Sequence, residues 1–398
     1  MFSLLAIGTV LVFSSCSSND EPENVKKEIE PIIPDTEMTT YLDGQRQTAW
    51  NIMKELSKDN DGKNIAFSPL SFYLTMSIVA EGVNDECAAE LAEFLNCDLN
   101  SVHQYNKQIL SSFPYIDAKT DLKFANSIWV DKKFTLNQKF LDAVKENYFT
   151  ETNVLDFSSD MSLKTINSWI SEKTSGLISD FFESKEDLND LCLVNSLYFH
   201  SPWTNVFDSK HTQRGSFFRT DAGAYQSVEM MSRLGYENYA EVDGSQILVL
   251  PFGNENFSIS FILPPEGVSL RNFISNYDLQ KICKAAKKEN VDIYLPKFEV
   301  KSNETYGEIL RKMNLNLLFE PSVWTKVSDS KSLSLVKNIK QSVSFKIDEN
   351  GGTAASVTSS SSVLMPQYIN FRADRPFFYM ITDKTCNIPI LMGTVEKF

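Results

Sequence analysis

Residues 348–366, reading DENGGTAASVTSSSSVLMP, restrict what this chain can fold into. An alternating strand pattern, Val343, Phe345 and Ile347, leads into them, and a second apolar run starts at Tyr368. After Glu349 the stretch carries no charge and is mostly small or hydroxylated. Surface loops usually carry Lys, Asp or Glu, and strands usually carry large apolar residues on at least one face. Two readings are open. One is a flexible Ser-rich linker. The other is a segment exposed now whose sequence can later enter a sheet. On strand alternation Gly352, Ala354, Ser356, Thr358, Ser360 and Ser362 point to one side, all small enough to slide beneath a packed face.

The chain has 398 residues, of which 42% are hydrophobic and 12% aromatic, so it can bury a substantial core. Its net charge of −14 argues against nucleic acid and anionic membrane surfaces as partners. Residues 1–15 contain an apolar segment, Leu4 to Phe13, too short to span a bilayer and read as a secretory signal. Phe13-Ser14-Ser15-Cys16 resembles a bacterial lipobox, with Phe13 where Leu is usual. That places a lipid on Cys16 and the protein on the cell envelope, at the outer membrane or surface. An ordinary signal peptide with an incidental Cys would leave it secreted. Residues 16–38 are polar and acidic with Pro22, Pro31 and Pro34, which suits a tether; residues 39–398 form the folded domain. The remaining cysteines, Cys87, Cys97, Cys192, Cys283 and Cys386, are odd in number and form no CxxC pair. A disulfide framework or a zinc site is not expected from them.

Along the domain, Ala49, Ile52, Met53 and Leu56 have helical spacing over Gln45 to Ser57. Asn64 to Phe67 reads as a short strand. Ser68-Pro69 then starts a helix over Leu70 to Glu81, apolar almost all round and therefore buried. Helices follow near 87–95, 102–111, 137–148 and 163–175, the last closed by Gly176. Leu122, Phe124, Ile128 and Val130 lie on a strand. Leu191 to Phe199 is nearly continuous in apolar residues, as a central strand covered on both faces requires. Strands dominate from Phe217: 247–252 and 257–263 as a hairpin, then 291–298, 343–347, 376–382 and 388–395, with one helix at 306–313. Helices crowd the first half and strands the second without regular alternation, so the class is α+β with large antiparallel sheets in one domain.

Catalytic constellations are absent. The sequence has no GxSxG, HExxH, Walker A or GxGxxG motif. His103 lies on a polar helix and His211 in a Lys/Gln/Arg loop, both read as solvated. No enzyme activity, metal or cofactor is expected.

Seven segments in order resemble the serpin family. They are Asn64 to Ser71, Phe124 to Val130, Ile166 to Trp169 with Thr174 to Gly176, Leu193 to Phe199 with Trp203 and Phe207, Val228 to Met231, Leu295 to Phe298, and Phe371 to Phe377. Leu177 stands where Lys is common. The resemblance covers residues 40–398. It implies three sheets, about nine helices and an exposed reactive centre loop. It also implies a monomer that inhibits serine proteases by suicide: the protease cleaves the loop, forms a covalent acyl-enzyme, and is carried across the molecule as the loop inserts into the main sheet.

In the hinge, Glu349, Gly351, Ala354, Ala355 and Thr358 match the inhibitory pattern, with Thr353 and Ser356 between them. Gly352 replaces the usual Thr or Ser. No charge or bulky group lies on the inserting face, where burying one would cost several kcal/mol. Where the main sheet opens, Ser68, Ser71 and Asn195 match a family cluster whose His is here Gln341, a side chain that both donates and accepts. Trp203 matches the buried Trp where the loop enters. Family loop length puts the reactive bond at Met365–Pro366, which most serine proteases cannot cut. Leu364–Met365 is then the working candidate, with Val363–Leu364 behind it. With no Arg or Lys between Lys346 and Arg372, the implied target is chymotrypsin-, elastase- or subtilisin-like. The alternatives are a non-inhibitory serpin that binds or stores a ligand on the envelope, and a surface lipoprotein whose tether serves assembly.

Overall fold

Ser68 caps the helix that Pro69 begins, its Oγ accepting from the Ser71 N–H at 3.3 Å. The computed structural model describes residues 29–58, 62–188, 190–219, 223–277, 285–329, 339–351 and 368–398. The expected signal segment, Cys16, most of the tether, Cys283, the hinge residues Gly352, Thr353, Ala354, Ala355, Ser356 and Thr358, and the bond candidates Val363, Leu364, Met365 and Pro366 lie outside the described residues.

The chain runs through α1 (Thr36–Lys58), β1 (Ile65–Phe67), α2 (Pro69–Gly82), α3 (Asp85–Leu95), α4 (Leu99–Ser112), β2 (Asp121–Asp131), α5 (Gln138–Tyr148), β3 (Glu151–Leu155), α6 (Asp160–Lys173) and β4 (Leu191–His200). Strands then take over, with β5 (Gln213–Arg219), β6 (Ala224–Val242), β7 (Ser245–Phe252) and β8 (Phe257–Leu263). The short α7 (Leu270–Asn276) leads to β9 (Lys287–Pro296) and β10 (Phe298–Thr305). Last come α8 (Gly307–Lys312), β11 (Lys340–Ile347), β12 (Ile369–Arg372), β13 (Phe377–Asp383) and β14 (Pro389–Val395). This is the expected α+β class, with eight α-helices and three sheets among the described residues.

The first element begins earlier than its spacing at 45–57 predicts. Asp35 Oδ1 accepts from the Met38 N–H at 2.8 Å, and Met38, Tyr41 and Leu42 are buried in α1. Ile32 is buried as well, with its carbonyl near the Cys386 thiol. Residues at the end of the assigned tether therefore belong to the packed body. The segment read as one strand over 291–298 is two. β9 stops at Pro296, and β10 starts at Phe298 in a different sheet.

The largest sheet has nine strands, ordered β1-β14-β13-β8-β7-β6-β9-β12 with β5 on β6. It is antiparallel except for β12 on β9. The second sheet is β3-β2-β4, with β3 parallel to β2. The third is the antiparallel pair β10-β11, Phe298 opposite Ile347. As its all-round apolar sequence demands, α2 buries Leu70, Phe72, Leu74, Met76, Ile78 and Val79. It packs against β14 and β4. A separate cluster under α6 holds Trp129, Ile166, Ile170, Phe181 and Cys192. Cys87, Cys97, Cys192 and Cys386 are free thiols.

Candidate functional site

β4 reads as a central strand, yet it pairs only with β2 among the described residues. Its other edge faces β11, and no ladder joins the two. The burial of β4 records this. Residues 191–196 are largely buried, whereas Leu197 to His200 are half-buried. At that end a cleft of about 220 Å³ lies between the strands, lined by Tyr198, Phe199, Ser344, Phe345, Ile347 and Gly351. Further down, a separate and much smaller cavity of about 10 Å³ lies between Ser68, Leu197 and Val343. Two facing strand edges without a shared ladder can accept a strand between them.

The chain leaves β11 beside the larger cavity through a tight turn. Asn350 N–H donates to Asp348 Oδ1 at 3.0 Å, and Gly351 N–H to the Asp348 carbonyl at 3.1 Å. Gly351 has φ +85°, and a Cβ there would stand 2.5 Å from the Trp203 nitrogen and 2.8 Å from the Ser201 carbonyl. Only glycine fits both the conformation and the space. Trp203 fixes the turn from the other side. Its Nε1 donates to the Asp348 carbonyl at 2.9 Å and its backbone N–H to the Asn350 carbonyl at 3.0 Å. The indole is buried, stacked on Phe252 with ring centres 4.6 Å apart.

Glu349 ties the same turn to two further elements. Its carbonyl accepts from the Phe207 N–H at 3.0 Å, and its carboxylate accepts from Thr212 Oγ1 at 2.8 Å. Lys297, in the gap between β9 and β10, reaches that carboxylate at 3.4 Å and Glu229 at 3.4 Å. Burial opposes the charge on Glu349. Its own N–H, Thr212 and Lys297 outweigh that and hold its pKa below the ordinary value. Burial likewise opposes the charge on Lys297, and Glu349 and Glu229 more than offset it, raising the pKa.

At the end nearer Ser68, Gln341 on β11 bonds both backbone groups of that serine. Ser68 N–H donates to Gln341 Oε1 at 2.9 Å, and Gln341 Nε2 donates to the Ser68 carbonyl at 2.9 Å. Tyr306 Oη, fully buried, donates to the same Oε1 at 3.2 Å. Ser68 Oγ donates to the Ile390 carbonyl at 2.7 Å. An amide can complete this two-bond ring; an imidazole lacks the geometry for it.

The structure brings Ser68, Ser71 and Gln341 together at one end and Trp203, Glu349 and Gly351 at the other. It does not join Asn195 to the Gln341 group. Asn195 Nδ2 donates to Asn126 Oδ1, Asn126 donates to the Tyr148 carbonyl, and Asn195 Oδ1 is buried without a partner. Lys297, Thr212 and Tyr306 belong to the site and were not foreseen; Lys297 lies in the Leu295–Phe298 motif, but nothing local pairs it with Glu349. His103 differs from its solvated reading. Its Nδ1 is 2.7 Å from Glu81 and 3.1 Å from Tyr148 Oη, and the bond to Glu81 raises its pKa. His211 is exposed, as its loop suggests.

The family model described as Serpin (serine protease inhibitor) matches residues 43–398. Neuroserpin of Gallus gallus is 28% identical over 368 residues, covering 87% of this chain and 88% of its own length. An uncharacterised serpin-like protein of Thermococcus kodakarensis is 26% identical over 98% of this chain and 97% of its own. Among solved structures, the native state of the thermophilic serpin tengpin superposes with a TM-score of 0.83 at 24% identity, covering 94% of this chain and 97% of its own. Thyroxine-binding globulin complexed with thyroxine gives 0.80 at 22% identity, covering 90% and 99%. At those identities the structural likeness speaks for the fold.

Proposed function

The chain belongs to the serpin family, and from that premise we propose that it is a suicide inhibitor of chymotrypsin-, elastase- or subtilisin-like serine proteases. Serpins are inhibitors or binding proteins and not enzymes, and the same reading is proposed for this chain. One observation supports it most: β4 and β11 stand side by side without a ladder, and a cavity of about 220 Å³ lies between them beside Gly351. A loop cut near residue 364 and folded into that gap forms a ladder on each side. Roughly ten new backbone bonds at about 0.5–1.5 kcal/mol each stabilise the inserted state by on the order of 10 kcal/mol. The small, uncharged face of residues 352–362 lets it enter without burying a charge. Anchoring through a lipid on Cys16 is part of the same proposal and places the inhibitor on the envelope.

The test is incubation with chymotrypsin, pancreatic elastase and subtilisin. At least one is expected to form a complex that survives SDS, releasing a peptide that begins at Met365. A peptide beginning at Pro366 would assign the family-length bond instead. Cleavage with no stable complex would favour the binding or storage reading, since the same fold serves thyroxine-binding globulin.

A further inference from the structure

His103 on α4 sits where two other helices end. Glu81 lies in the last turn of α2, and Tyr148 closes α5. His103 Nδ1 stands 2.7 Å from Glu81 Oε1 and 3.1 Å from Tyr148 Oη, and that hydroxyl donates to the same Oε1 at 3.3 Å. The dipole at a helix C-terminus disfavours a carboxylate and favours a cation. α2 has no basic residue in its last turn, so a charged imidazole is the group that offsets Glu81 there. Lys107 and Glu146, neighbouring charges on α4 and α5, pair with each other at 3.2 Å. Glu81 is the charged group that acts on His103 among the described residues. A neutral ring can still donate from Nδ1 to Glu81, but it loses the attraction to the carboxylate and to both helix ends.

This corner has a path to the seam between β4 and β11. Tyr148 is wholly buried, and its carbonyl accepts from Asn126 Nδ2 at 2.8 Å. Asn126 Oδ1 accepts from Nδ2 of Asn195, the residue directly opposite on β4. Asn195 Oδ1 is buried without a partner, so that single bond orients its amide. Asn195 therefore takes its position from Asn126, and Asn126 from the end of α5. We propose that Glu81, His103 and Tyr148 form a pH-sensitive clasp that holds the β4 side of the seam more firmly in mild acid than above neutrality. That a strand enters the seam rests on the inhibitor reading above. Glu81 raises the His103 pKa from the ordinary 6.5. A group raised on folding contributes fully below its unfolded pKa and loses that contribution as pH rises through the folded one. The clasp is therefore closed at about pH 5.5 and slack at about pH 8.5.

The test follows a synthetic peptide of residues 352–362 entering the uncut full chain, with the unaltered protein and its His103→Gln variant compared at both pH values. Comparing the two at each pH cancels any contribution from His200 and His211. At about pH 5.5 the peptide enters the variant about two- to fivefold faster, the size expected of a half-exposed ion pair. At about pH 8.5 the two rates are equal. Glu81→Gln gives the same loss of pH dependence. Equal rates at both pH values overturn the proposal. So does a difference that persists undiminished at about pH 8.5, which would assign His103 to packing alone. If the peptide enters neither protein at either pH, the inhibitor reading falls by itself. The clasp is then judged by hydrogen exchange at the Asn195 and Ser196 amides: faster exchange in His103→Gln at about pH 5.5 alone supports it, and equal exchange at both pH values overturns it.

Discussion

Gln341 holds three hydrogen bonds at a buried position, two to the backbone of Ser68 and one from Tyr306. The Ser68 carbonyl has a second partner in the Phe72 N–H at 3.0 Å, so losing the Gln amide leaves it satisfied. The Ser68 N–H and the Tyr306 hydroxyl have no such substitute among the bonds described. Gln341→Leu therefore strands two buried donors. At about 1–3 kcal/mol for each unsatisfied group, the variant loses about 2–6 kcal/mol in urea unfolding. A loss below about 1 kcal/mol would mean that water or a shifted neighbour takes over the amide's role. The choice of Gln was legible in the sequence as a donor and acceptor in a His position. That it would bond both the N–H and the carbonyl of one residue was not, because the geometry depends on β11 passing the start of α2.

Between β11 and the loop, the turn at residues 348–351 is held by Trp203, Phe207, Thr212 and Lys297 together. Glu349 is the turn's carboxylate that faces Lys297, and its pKa is lowered from the ordinary 4.5. A carboxyl whose folded pKa is depressed stabilises above its unfolded pKa, and that contribution fades as pH falls through the folded value. Lys297 is raised and stays charged throughout that range. Glu349→Gln therefore melts below the unaltered chain at pH 7 by an amount worth about 1 kcal/mol, and the gap closes as the pH is taken below 4.5. A gap that persists undiminished at pH 3 would show that the carboxylate charge is not what holds the turn. The elements around this turn differ in how far sequence alone exposes them. α2 is announced by Ser68-Pro69 and its apolar surface, and β11 by its alternation. The start of α1 is hidden because Met38, Tyr41 and Leu42 sit among polar residues that suit a tether. β10 is hidden because the break at Lys297 falls inside one apolar run. The Glu349–Lys297 pair has no local signature, since the two residues meet only when the β9–β10 junction packs under the end of β11.

At the scale of the molecule, the nine-strand sheet and the helices on α2 make a continuous core, while the β3-β2-β4 and β10-β11 sheets share an unclosed seam. A chain that leaves two strand edges facing each other holds back stabilisation that an inserted strand would release. On the proposed function, cutting the loop with a protease that is then removed lets residues 352–362 fill the seam. The gain of on the order of 10 kcal/mol in ladder bonds raises the melting temperature by more than about 10 °C. Ala354 separates this from a general effect of nicking. Strand alternation turns it toward the core, so Ala354→Arg must bury an unpaired guanidinium at a cost of several kcal/mol. The uncut variant keeps the original melting temperature, because the change lies in the loop before insertion. After cutting, its rise is reduced or lost. With an active protease the acyl-enzyme then hydrolyses before the loop is seated, and the inhibitor behaves as a substrate whose stoichiometry climbs to a several-fold excess. An equal rise in melting temperature for both cut proteins would place Ala354 off the seam and remove insertion as the source of inhibition.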